Sequence, residues 1–118
     1  MPKAKEIYEY IDSFAPFCKQ EEWDNSGFLI GDENAEVKSV LLALDCTNEV
    51  LEYAKKSGCE LVITHHPIIF GALKQVTVGS EVYTAVNNGL SVICAHTSYD
   101  VAEGGVSDIL AKKLSAVN

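Results

Sequence analysis

The stretch Val37-Lys38-Ser39-Val40-Leu41-Leu42-Ala43-Leu44, followed by Thr47 to Gly58 and then by Glu60-Leu61-Val62-Ile63-Thr64, decides the fold of this 118-residue chain. The two aliphatic runs carry no polar alternation, which is the pattern of strands buried on both faces of a parallel sheet. Between them Thr47 offers a cap to a helix carrying Val50, Leu51 and Ala54, and Gly58 stands where a left-handed residue stops it. Strand, helix and strand in about 30 residues predict a right-handed βαβ crossover.

The same grammar extends in both directions. Downstream, Ser80 caps a second helix (Val82, Tyr83, Ala85, Val86) that ends at Asn87-Asn88-Gly89, and Leu90-Ser91-Val92-Ile93-Cys94-Ala95 is the next parallel strand. Ser107 can cap a last helix with Ile109, Leu110 and Leu114. Upstream, Ala4, Ile7, Tyr8, Ile11 and Phe14 recur at helical spacing, so an amphipathic helix is expected over residues 3–15, ending at Pro16. The polar segment Glu21 to Gly27 is turn-like, and Phe28-Leu29-Ile30 is a short strand closed by Gly31-Asp32. The expectation is one α/β domain over residues 1–118, a parallel or mixed sheet built from βαβ units with flanking helices.

All three histidines lie where these strands end: His65 and His66 after Thr64, and His96 after Ala95, with Asp100 four residues on. Ligands of open α/β sheets collect outside the carboxyl ends of the strands, so the four residues are expected on one rim. Imidazole with carboxylate suits zinc, manganese, iron or nickel. Adjacent histidines on extended backbone point to opposite faces, so the pair could serve two neighbouring ions, or one ion and a hydrogen-bond partner. Asp100 is expected to swing back from a loop to the ion. His96 is read as a ligand, as an acid, base or orienting donor beside the ion, or as plain structure. Asp24 and Asn25 either form an Asx-turn or line a pocket, Asp45 either shares the rim or precedes the helix cap, and Trp23 is expected in the core.

Composition bounds the alternatives. A net charge of -8 without a basic cluster disfavours nucleic acid and anionic membranes. No segment reaches the ~20 apolar residues of a membrane span, and the N-terminus lacks a signal-peptide core, so a cytoplasmic protein is expected. The four cysteines, Cys18, Cys46, Cys59 and Cys94, are scattered and read as reduced thiols. Neither a nucleophile elbow nor a phosphate-binding loop accompanies Gly104-Gly105.

Five blocks in order, Glu22 to Gly31, Leu44-Asp45-Cys46-Thr47, Ile63 to Phe70, Ala95 to Asp100, and Gly104-Gly105-Val106-Ser107-Asp108, resemble the NIF-three-like family, whose members are often labelled GTP cyclohydrolase 1 type 2 homologues. The resemblance implies an α/β protein with a dinuclear divalent-metal centre, commonly a toroidal hexamer. It makes His65, His66 and Asp100 metal ligands and puts His96 beside the site. A later His-x-x-x-Glu ligand pair of the family has no counterpart here, so the chain matches the family's N-terminal half, and Ser107 stands where the family tends to carry Asn. The expected function is that of a metal-dependent, cyclohydrolase-like hydrolase with one or two divalent ions, acting on a small-molecule substrate such as a nucleotide. The alternative is a non-catalytic metal-binding module for assembly or regulation. A homo-oligomer is expected in either case.

Overall fold

The computed structural model describes residues 2–103, 105, 106 and 109. It contains helix α1 (Ala4–Phe14), a short 3-10 turn (Phe17–Lys19), strands β1 (Gly27–Ile30) and β2 (Val40–Ala43), helix α2 (Asn48–Lys56), strand β3 (Leu61–Thr64), helix α3 (Glu81–Asn87), strand β4 (Ser91–Cys94) and a one-turn helix α4 (Thr97–Asp100). The last helix, expected from Ser107 with Leu110 and Leu114, falls almost wholly outside the described residues, as does Gly104.

The four strands form one mixed sheet in the order β1-β4-β3-β2. β2, β3 and β4 are parallel, with Val40 beside Leu61 and Leu61 beside Ser91, and β1 runs antiparallel to β4 at the far edge. The expected α/β architecture with flanking helices is therefore the observed one. Successive residues of a strand face opposite sides, and the core divides accordingly. Leu61 and Ile93 pack with Ile11, Phe17 and Val37 under α1. Val62 and Val92 pack with Leu51, Ala54 and Ala85 under α2 and α3.

The local signals act as their chemistry dictates. Thr47 Oγ1 accepts from the Val50 amide and Ser80 Oγ from the Tyr83 amide, each satisfying an orphan donor of its helix. At the end of α2, Gly58 takes φ +75°. The Cys59 amide then reaches the Ala54 carbonyl and the Gly58 amide the Lys55 carbonyl, a Schellman closure that α3 repeats at Gly89. β2 is shorter than the aliphatic run from Val37 suggests. The amides of Lys38 and Ser39 donate to Glu60 Oε1 at 2.8 and 3.0 Å, so a side chain replaces the first rungs of the ladder.

Gly31 closes β1 against buried Ser91. Its φ is +112°, and a Cβ built there would stand 2.6 Å from Ser91 Cα. Gly31→Ala combines an unfavourable backbone conformation with a backbone clash, so it is expected to destabilise the fold by about 2–4 kcal/mol, measured by urea unfolding. An unchanged midpoint would show that β1 is free to move off β4.

Among the described residues no helix is long and apolar enough to cross a membrane.

Candidate metal centre

Three parallel strands end side by side, which places Asp45 beyond β2, His65 and His66 beyond β3, and His96 beyond β4 on one rim. The two neighbouring histidines do not diverge as on a straight strand. The chain bends after Thr64, whose hydroxyl donates to the His66 carbonyl at 2.7 Å. The His65 and His66 amides keep pairing with the Ala43 and Leu44 carbonyls. Both rings consequently turn towards one space: their centroids are 5.4 Å apart, and they lie 5.0 and 5.3 Å from that of His96. One ring nitrogen from each of the three lies within 4.8 Å of the others.

The hydrogen bonds say which nitrogen is free. His65 Nδ1 meets the Ala95 carbonyl at 3.0 Å, and a carbonyl can only accept, so Nδ1 carries a proton and Nε2 is the nitrogen left for the rim. His66 Nδ1 meets Asp45 Oδ1 at 2.6 Å and His96 Nδ1 meets Asp24 Oδ1 at 3.0 Å, so in each ring Nδ1 is engaged by a carboxyl oxygen and Nε2 is left over. Imidazoles whose Nδ1–H is held by an oxygen, with Nε2 left over, are the usual donors to a transition metal. The residues present therefore fit a divalent ion.

Asp24 is the best-anchored group of the site. Its side chain is 0% exposed. Oδ1 accepts from His96 Nδ1 and the Asn25 amide, and Oδ2 from Ser26 Oγ, the Thr97 amide and Thr97 Oγ1. Burial pushes this carboxyl up, but the bonds from Thr97, His96 and Asn25 together outweigh it and hold Asp24 well below the usual carboxylate range. Its Asx-turn contact to Asn25 exists, yet its main work is beneath the imidazole of His96.

Asp100 sits on α4 and not on a loop, because the Asp100 amide donates to the His96 carbonyl and winds the segment into one turn. Its Oδ1 lies 3.4 Å from His65 Nε2. Asp45 holds His66, while Thr47 alone caps α2. Asn25 ties the apolar loop after Pro67 to the site by donating from Nδ2 to the Ile69 carbonyl at 2.6 Å. It also lines a cleft of about 390 Å3 with Tyr8, Gly27 and Phe28 on the side of β1.

Trp23 is not in the core: it is 58% exposed, against Phe70 and the edge of His96. Thr97 and Ser26 escaped sequence reasoning because small hydroxyls carry no spacing signal. The only hint was that Thr97 follows a strand-end histidine. Cys46 and Cys94 are buried thiols, each pushed up to about 12 chiefly by burial, which makes them packing groups and not thiolate ligands.

Comparison with known proteins places these features. The model of the family Duf34/NIF3 (NGG1p interacting factor 3) matches residues 2–118. A GTP cyclohydrolase 1 type 2 homolog of Clostridium perfringens is 36% identical over 116 residues, covering 95% of this chain and 44% of the relative. The crystal structure of a Staphylococcus aureus protein superposes with a TM-score of 0.88 at 38% identity, over 94% of this chain and 33% of that one. Reduced HcgD from Methanocaldococcus jannaschii superposes with a TM-score of 0.87 at 34% identity, over 94% and 46% respectively. The chain thus spans a third to less than half of the length of these relatives.

Proposed function

Because the chain belongs to the Duf34/NIF3 family, we propose that it is a divalent-metal-binding, hydrolase-like protein whose histidine rim acts on a nucleotide or a related cyclic C–N compound. One observation carries the reading: the rings of His65 and His66, and that of His96 beside them, each have Nδ1 held by an oxygen and bring a ring nitrogen apiece to within 4.8 Å of one another, two as ligands and the third within reach of the ion's water. The purine nucleotide comes from the name of the relatives, GTP cyclohydrolase 1 type 2 homolog.

His65, His66 and Asp100 hold one or two divalent ions, of the zinc, iron, manganese or nickel class that imidazole and carboxylate select. A divalent ion held there would acidify a water so that it could lose its proton near neutral pH. His65 Nε2 and Asp100 Oδ1 stand 3.4 Å apart, close enough for both to reach one ion. His66 is aimed by Asp45. His96 receives the proton at Nε2, since its Nδ1–H is engaged by Asp24, and returns it to the leaving nitrogen when the C–N bond opens. Asp24, sealed below the ring, offsets the charge that the imidazole gains.

The test separates binding from turnover. His96→Ala is expected to keep the zinc stoichiometry of the parent chain, measured by calorimetry, and to lower the turnover of purine nucleotides about 100-fold or more. Equal turnover by parent and variant, both zinc-loaded, overturns the role of His96.

A second reading, a non-catalytic metal-binding module for assembly or regulation, is favoured by a different observation. Val40 and Leu42 share one face of the edge strand β2, with Leu44 just beyond it, and Leu42 and Leu44 remain 72% and 60% exposed. Such a row suits a covering polypeptide, in a homo-oligomer a second copy of the chain. Full zinc occupancy without hydrolysis of any purine nucleotide is the outcome that selects this reading over the first.

A further inference from the structure

Trp23 and Phe70 are each 58% exposed. Single exposed apolar side chains are ordinary on a protein surface, but these two adjoin each other and the histidine rim. Their ring centroids are 6.1 Å apart with the planes inclined by 34°, and the indole meets the ring of His96 edge-on at 6.0 Å. Both are tied down from behind. The segment of Trp23 is anchored by the Glu21 amide on Thr97 Oγ1 and by Asp24 under His96. The segment of Phe70 is anchored by Asn25 on the Ile69 carbonyl. The result is a broad aromatic surface, fixed within one ring's width of an imidazole of the site.

The charge pattern narrows what such a surface takes. All nine basic residues are lysines, so the chain has no guanidinium fork with which to grip a phosphate. The contact that this aromatic surface offers a nucleotide is with the face of its base. Stacking on aromatic side chains supplies that without a hydrogen-bond code, at about 5- to 150-fold in affinity per base.

We propose that Trp23 and Phe70 form a stacking platform for the planar nitrogen heterocycle of a purine nucleotide, and so determine which ligands reach the histidine rim. The proposal rests on the nucleotide reading of the site, and its test is built to fail separately from it. Trp23 is the only tryptophan, so its emission reports the platform directly. Guanosine 5′-monophosphate is expected to quench that emission saturably, in the metal-free and the zinc-loaded chain alike, while ribose 5-phosphate leaves it unchanged.

Phe70→Ala is expected to weaken binding of guanosine 5′-monophosphate about 5- to 150-fold with the zinc stoichiometry intact. Both aromatic side chains are largely outside the core, so the variant retains the fold. Unchanged emission with guanosine 5′-monophosphate, equal quenching by ribose 5-phosphate, or full affinity in Phe70→Ala overturns the platform. A chain that binds zinc but not the nucleotide refutes the platform alone. A chain that is quenched by the nucleotide but binds no zinc refutes the metal reading alone.

Discussion

The double variant His65→Ala/His66→Ala is expected to bind zinc at least about 1,000-fold more weakly than the parent and to purify without stoichiometric divalent metal, as read by elemental analysis and calorimetry. The magnitude follows from the geometry. Loss of a group that merely orients a metal ligand costs about 10- to 100-fold in affinity, and this variant removes two ligands outright. Of the proposed ligands only Asp100 remains, 3.4 Å from the vacated position of His65 Nε2. The fold should persist, because both side chains are at the rim and outside the two core clusters. The metal-free variant is therefore expected within about 1 kcal/mol of the metal-free parent. Asp45→Asn supplies the graded control: it leaves every ligand in place and is expected to cost about 10- to 100-fold. Full metal content in the double variant would remove the histidine rim from the mechanism.

The rim was legible in the sequence because strand ends are. Continuous aliphatic runs mark strands of a parallel sheet, and three of them, β2, β3 and β4, end at Asp45, His65 and His96; burial on both faces, expected of the first run as well, fails for β2, which is an edge strand with Val40 and Leu42 exposed. The finer geometry was not legible, for reasons that can be named. The direction of the His65 and His66 rings depends on a bend created by one hydroxyl, Thr64 Oγ1, reaching the His66 carbonyl. A strand template has no term for that bond. The N-terminal limit of β2 depends on Glu60, a residue in another segment, taking two amides of the run. Trp23 was misplaced because a lone tryptophan favours the core on average, whereas here the polar segment around it is drawn under His96 and leaves the indole outside. Asp24 stays open between a local turn and a pocket wall in the sequence because its real partners, His96 and Thr97, are more than seventy positions away.

Those distant partners make Asp24 the position where fold and chemistry depend on the same atoms. Asp24→Asn is expected to destabilise the chain by about 1–3 kcal/mol at pH 7, measured by urea unfolding. Oδ1 accepts from His96 and Asn25, and Oδ2 from Ser26 and twice from Thr97. An amide has only one oxygen, so its NH2 group faces either His96 Nδ1 and the Asn25 amide or the Thr97 amide and two hydroxyls; the imidazole and the hydroxyls can turn to accept, but the one backbone amide is left a buried orphan at about 1–3 kcal/mol. The pH dependence has a definite sign. The folded-state carboxyl is held below its unfolded value, so its contribution is complete above the unfolded value of about 3.9 and is lost as the pH falls below it. The gap in stability between parent and variant should accordingly narrow on acidification from pH 5 towards pH 3, because only the parent carries a carboxylate to lose. A gap that is constant over that range would mean that shape, and not charge, makes Asp24 matter. The chemical consequence follows from the same substitution: with NH2 turned to His96, Nδ1 can no longer donate, the ring proton moves to Nε2, and the lone pair facing the rim is gone. Turnover should then fall as far as in His96→Ala, with the zinc stoichiometry set by His65, His66 and Asp100 preserved.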